Sequence, residues 1–192
     1  MRRTKFFNAI MIICMIFTFS TITAQSKMMK EDTKMVGGAA MYPSKDIISN
    51  AVNSNDHTTL VAAVKAAKLV GTLQGEGPFT VFAPDNTAFN KLPDGTVETL
   101  LKPKNIKVLQ GVLNYHVLAG KYSAKDIVKA IKKRKGKATF ATVNGANLTA
   151  MMKGKNVVLM DNAGNTSTVT IADVNQSNGV IHVVDTVVLP SK

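Results

Sequence analysis

The stretch SNGVIHVVDTVVLP, residues 177–190, constrains the fold more than any other part of the chain. Side chains alternate along a strand, so Val180, His182, Val184, Thr186 and Val188 point one way, and Ile181, Val183, Asp185, Val187 and Leu189 the other. Both faces are therefore largely apolar, which suits a strand in the middle of a sheet with packing on each side. His182 is expected in the core with a backbone partner. Asp185 falls on the opposite face, so the two cannot form a catalytic pair without a bulge.

The rest of the chain divides by period. Beyond Ala138 the segments ATFATV, ANLTAMM, NVVLMD and STVTIADV alternate with a period of two and are separated by turn signals at Asn144-Gly145, Gly154, Gly164 and Asn178-Gly179. Before it, helical patterns dominate. Ser44 is expected to cap a helix over KDIISNAVN, and Asp56 one over HTTLVAAVKAAKLV that stops at Gly71. A strand FTVFA follows, then a short helix begun by Pro84 and Asp85, and helices over about 96–101 and 103–114. Helices first and an antiparallel meander second imply one α+β domain.

The first 24 residues place Arg2, Arg3 and Lys5 ahead of an apolar run from about Ala9 to Phe19, the pattern of a secretory signal peptide cleaved after Ala24. A retained anchor is the alternative, although the run is short for a span of roughly 20 residues. Cys14 leaves with the signal, so the mature chain has no cysteine and stability must come from a packed core. Residues 25–42 read as a flexible leader and residues 43–192 as the domain. The formal charge of +12 falls to about +9 once the three signal cations are removed, which favours anionic surfaces. An exported chain with no DNA- or RNA-reading motif points away from nucleic acid and toward acidic polysaccharide, lipid headgroups or envelope.

Catalytic and metal-binding patterns are missing from the sequence. It shows no serine elbow, phosphate-cradling glycine loop or zinc-binding His-Glu helix motif. His57 is expected to face solvent in a first helical turn. Tyr115 and His116 stand where a helix passes into a strand, with both side chains expected to be pinned by hydrogen bonds. DNAGNT after Met160 reads as a hairpin turn rather than a calcium loop. No cofactor, metal or enzymatic activity is expected.

The stretch KYSAKDIVKAIKKRKGKATF combines a capping-box-like start at Ser123 and Asp126 with an inward stripe of Ala124, Ile127 and Ile131. Lys125, Lys129, Lys132 and Lys133 project from the other side, and Arg134, Lys135 and Lys137 continue into the next turn. This is either a solvated face that aids solubility or an electrostatic contact for acidic glycans, envelope polymers or anionic lipid.

Three motifs in order, FTVFAPDNTAF (79–89), NYHVL (114–118) and NGVIHVVDTVVLP (178–190), resemble those of the fasciclin-like, or FAS1, domain over roughly residues 42–190. The resemblance implies a FAS1-type wedge of antiparallel β-strands packed with several α-helices, extracellular and without catalysis. It also implies partner contacts at Tyr115 and His116, and at an Asp-Ile position filled here by Asp173 and Val174. The chain departs from the animal form at Ala172 and Asn175, positions where a proline and a methionine can occur. Adhesion to cell-surface or extracellular-matrix polymers is the function implied, by a secreted or periplasmic protein of the cell envelope. The competing reading, also from the resemblance, is a carrier of an apolar small molecule such as a carotenoid or lipid.

Overall fold

The computed structural model describes residues 32–190. The expected signal peptide, Cys14 and residues 25–31 of the expected leader lie outside the described residues. The second half of that leader requires correction, because it forms a hairpin of β1 (Lys34–Val36) and β2 (Ala39–Met41). Gly37 and Gly38, with φ of 56° and 76°, make its turn, and Val36 and Met41 are buried in the core. Lys34 Nζ donates to the Ala172 carbonyl at 2.7 Å and ties the hairpin to the domain.

The helices follow local capping chemistry, with boundaries that differ from the sequence expectations. Asp46, rather than Ser44, caps α1 (Ile47–Ala51), its carboxylate accepting from the Ile48 and Ser49 amides, both at 2.9 Å. Asp56 lies inside a 3₁₀ turn over Asn55–His57 that precedes α2 (Thr58–Ala66). That helix ends before Gly71 because Lys68 takes a left-handed φ of 57°, and Gly71 falls within α3 (Val70–Leu73). β3 (Phe79–Pro84) leads to α4 (Asn86–Asn90), where the Asp85 carboxylate accepts from the Ala88 amide at 2.7 Å. α5 (Thr96–Leu101), a 3₁₀ turn over Pro103–Asn105, α6 (Ile106–Tyr115), β4 (Val117–Ala119) and α7 (Ala124–Lys133) complete the helical half.

β5 (Lys137–Ala141), β6 (Asn147–Lys153), β7 (Asn156–Met160), β8 (Thr166–Gln176) and β9 (Gly179–Val184) form the expected meander. The seven-stranded sheet has the order β4-β3-β9-β8-β7-β6-β5. Its one parallel pairing, β3 with β9, joins two segments 100 residues apart in the register Phe79↔Gly179. The outer strands approach each other through a Leu118↔Thr142 bridge and a 2.8 Å bond from the Val143 amide to the Val117 carbonyl, so the sheet curls toward closure.

Alternation along β3 and β9 divides the interior into two cores. Val81, Ala83, Ile181 and Val183 face α2 and α6 through Val64, Leu109 and Leu113. Phe82 and Val184 face the other way, into a cluster with Tyr115, Leu118, Leu148, Leu159 and the α7 residues Ile127 and Ile131. Each fully buried isoleucine contributes about 1.5–3 kcal/mol, so this second core fixes α7 on the sheet. The α+β class and the central, doubly covered last strand stand as read from the sequence.

Candidate functional site

His116 and His182 are locked as structural groups. His182 has no exposed surface and stacks on Phe82 with ring centroids 5.7 Å apart. Its Nε2 donates to the Tyr122 carbonyl at 2.9 Å, while Nδ1 accepts from the Asp173 amide at 3.2 Å. His116 uses the opposite tautomer: Nδ1 donates to the Val112 carbonyl at 2.8 Å, and Nε2 accepts from the Val188 amide at 3.2 Å. Both patterns need a neutral ring. Burial pushes the His182 pKa down and lowers that of His116 to about 4.

His57 corrects the expectation of a solvent-facing side chain. It is buried because the β1–β2 turn sits over its segment, where the Gly37 carbonyl accepts from the Asn55 amide at 3.0 Å. Its Nδ1 lies 2.9 Å from Ser54 Oγ, and burial pushes its pKa down. Nε2 meets no partner in hydrogen-bond geometry, although the Ala83 carbonyl acts on the ring.

Tyr115, His116 and Val174, the positions at which the resemblance implies partner contacts, are buried, with exposures of 0%, 3% and 1%. Tyr115 donates its hydroxyl to the Asn147 carbonyl at 2.8 Å, and with His116 it ties the end of α6 to β6 and to the C-terminal segment. Burial raises the Tyr115 pKa. Val174 packs in the helical core. In the structure these side chains serve as internal anchors.

Asp173 is half-buried and plays a different part. It lies where β8 is bulged against β9, with a left-handed φ of 56°. Its carboxylate accepts from the Ala124 amide at 2.7 Å, at the first residue of α7. Ser123 and Asp126 form the capping box beside it. Asp126 is held below the usual carboxylate pKa, chiefly by the Ser123 hydroxyl. The structure thus joins two candidates that the sequence kept apart, Asp173 and the basic helix.

Lys125, Lys129, Lys132, Lys133 and Arg134 are all exposed, as expected, and none is in an ion pair with another described residue. The single ion pair among the described residues is Lys91–Asp185 at 3.8 Å. The sequence reading missed Lys153 and Lys155. β5 and β6 pair with Lys137 opposite Met151, and β6 and β7 with Lys153 opposite Asn156. The β6–β7 turn therefore emerges at the same end of the sheet as the α7–β5 turn. A sequence signal did exist, because the chain from Ile127 to Met160 carries eight cations and no acid.

An apolar space of about 50 Å³ lies between the β1–β2 hairpin, α1, α2 and the β3–β9 pair, lined by Val36, Met41, Ile48, Leu60, Val81 and Ile181 among others. This is smaller than the roughly 150 Å³ cavity known to take one benzene. No group of three or more His, Cys, Asp or Glu residues is placed to hold a metal among the described residues. None of the described helices is long and apolar enough to cross a membrane.

The family model for the fasciclin domain matches residues 55–190. Protein sll1483 of Synechocystis sp. is 44% identical over 160 residues, covering 83% of this chain and 82% of the relative. The cell surface glycolipoprotein MPB83 of Mycobacterium bovis is 31% identical over 159 residues, covering 80% of this chain and 64% of the relative. The FAS1 domain pair of the insect cell adhesion molecule fasciclin I shares the fold, with a TM-score of 0.69 and 19% identity over 77% of this chain and 52% of that one. With a family model over most of its length and relatives of this similarity, the chain belongs to the fasciclin (FAS1) domain family.

Proposed function

We propose that the protein is an exported, non-enzymatic adhesion module that contacts acidic polymers of the cell surface or matrix through the outer face of α7. One observation carries the reading: a helix anchored by Ile127 and Ile131 presents exposed cations that form no ion pair with another described residue. Unpaired charges on a rigid element act on a polyanion without first breaking internal bonds. The surface location of MPB83 and the adhesive role of fasciclin I support the setting. The neutral, backbone-bonded state of His116 and His182 supports the non-enzymatic part, because neither ring has a nitrogen free for proton transfer.

The test is binding of the purified mature chain to producer-cell envelopes and acidic polysaccharides across a salt series, beside a variant with Lys129, Lys132, Lys133 and Arg134 changed to Gln. Saturable binding that weakens with salt and is lost in the variant is expected. Binding that ignores both salt and the four substitutions contradicts the reading.

A further inference from the structure

Resting on that proposal, we infer that the polymer site extends beyond α7 and wraps one end of the sheet, with Lys135, Lys137, Lys153 and Lys155 as its second half and a linear acidic polysaccharide as its ligand. Three observations carry the extension. The strand register places the α7–β5 and β6–β7 turns at one end of the sheet. Both turns expose their lysines, and no acidic residue interrupts the chain between Ile127 and Met160. Lys135 closes α7 in a left-handed helix cap at φ 57°, where the Gly136 amide donates to the Ile131 carbonyl at 2.9 Å, and this fixes Lys135 at the turn that leads into β5.

The geometry also selects the ligand. From Lys125 to Lys133 the helix rises about 12 Å, and the strand turns beyond its C-terminus lengthen the track. Separate patches on a helix and two turns are matched by a chain whose charges recur along its length. A compact anion reaches only one patch. The lysines are point charges on flexible stems, suited to a diffuse series of carboxylates or sulfates rather than to bidentate recognition of one group.

Calorimetry on the mature chain would use heparin-derived disaccharide and decasaccharide as sulfated probes and a galacturonate decamer as the carboxylated one. We expect the decasaccharide to bind at least about tenfold more tightly than the disaccharide. The double variant Lys153→Gln/Lys155→Gln is expected to weaken decasaccharide binding about fivefold, in keeping with the modest strength of exposed charge pairs. Lys135→Gly provides a second arm that keeps the fold, raising the thermal midpoint while weakening decasaccharide binding. Wild-type affinity in the hairpin variant, or equal affinity for short and long probes, overturns the extension. If the α7 variant alone loses binding, the adhesion proposal stands and the extension fails. No binding of any acidic probe by the wild type defeats both.

Discussion

Asp173 and Ala124, 49 residues apart, are joined by a 2.7 Å hydrogen bond from the Ala124 amide to the Asp173 carboxylate. Two residues earlier, the Tyr122 carbonyl accepts from His182 Nε2, and His182 in turn accepts from the Asp173 amide. A bulge in β8 and the central strand β9 together hold the lead into the basic helix. Motif residues in the sheet therefore decide how the cationic surface is presented.

Asp173→Ala removes the acceptor and leaves an ordinary side chain in a left-handed backbone. A loss of about 2 kcal/mol is expected from capping and helix-dipole effects together. Asp173→Asn keeps an acceptor oxygen and a residue that tolerates this conformation, so it should lose less than half as much. Urea unfolding of both variants measures the difference, and equal losses would exclude the hydrogen bond as the cause.

The neutral histidines make stability depend on pH. The folded-state pKa of His116 is about 4 against an ordinary 6.5, so the unfolded chain binds more protons between these values and stability falls as pH drops. The contribution is fully present above about pH 6.5 and is lost as pH falls toward 4. His116 accounts for a loss on the order of 3 kcal/mol, and His182 adds in the same direction. Asp126, with its pKa below 3.8, acts only at lower pH. Urea midpoints from pH 7.5 to 4 should show the slope, and a folded His116→Gln variant should show less of it.

Gly179→Ala should prevent normal pairing of β3 with β9. A Cβ at Gly179 would lie 2.2 Å from the Phe79 carbonyl oxygen, which is main chain and cannot swing aside. Overpacking of a tight site costs about 1–3 kcal/mol, and a backbone obstacle places this variant at or above the top of that range. Chemical denaturation tests this; an unchanged midpoint would contradict it.

Tyr115→Phe should separate anchoring from adhesion. It removes the hydroxyl that donates to the Asn147 carbonyl, a cost of about 0.5–1.5 kcal/mol. Polymer binding, measured where both proteins are folded, should be unchanged. A large loss of binding would return Tyr115 to the contact surface.

The C-terminal run was legible from alternation alone: His182 and Val184 face one core, Ile181 and Val183 the other, as period two requires. The basic face of α7 was equally legible, because the inward stripe and the cations alternate with helical spacing. Burial of Tyr115, His116 and Val174 was not, since a motif gives residue identity and leaves open whether its side chains point outward. Nor was the β1–β2 hairpin, whose paired glycines read as a linker until Val36 and Met41 found a core to enter.

Local chemistry in the sequence determined the α+β class, the order of most elements, the central last strand and the cationic helix. Those features depend on periodicity, caps and turns, which act over a few residues. Tertiary structure alone decided the parallel β3–β9 pairing, the Asp173–Ala124 bond and the meeting of the α7–β5 and β6–β7 turns. Each joins groups distant in the chain, and only the packed sheet, by offsetting the entropy of closing those loops, specifies which distant groups meet.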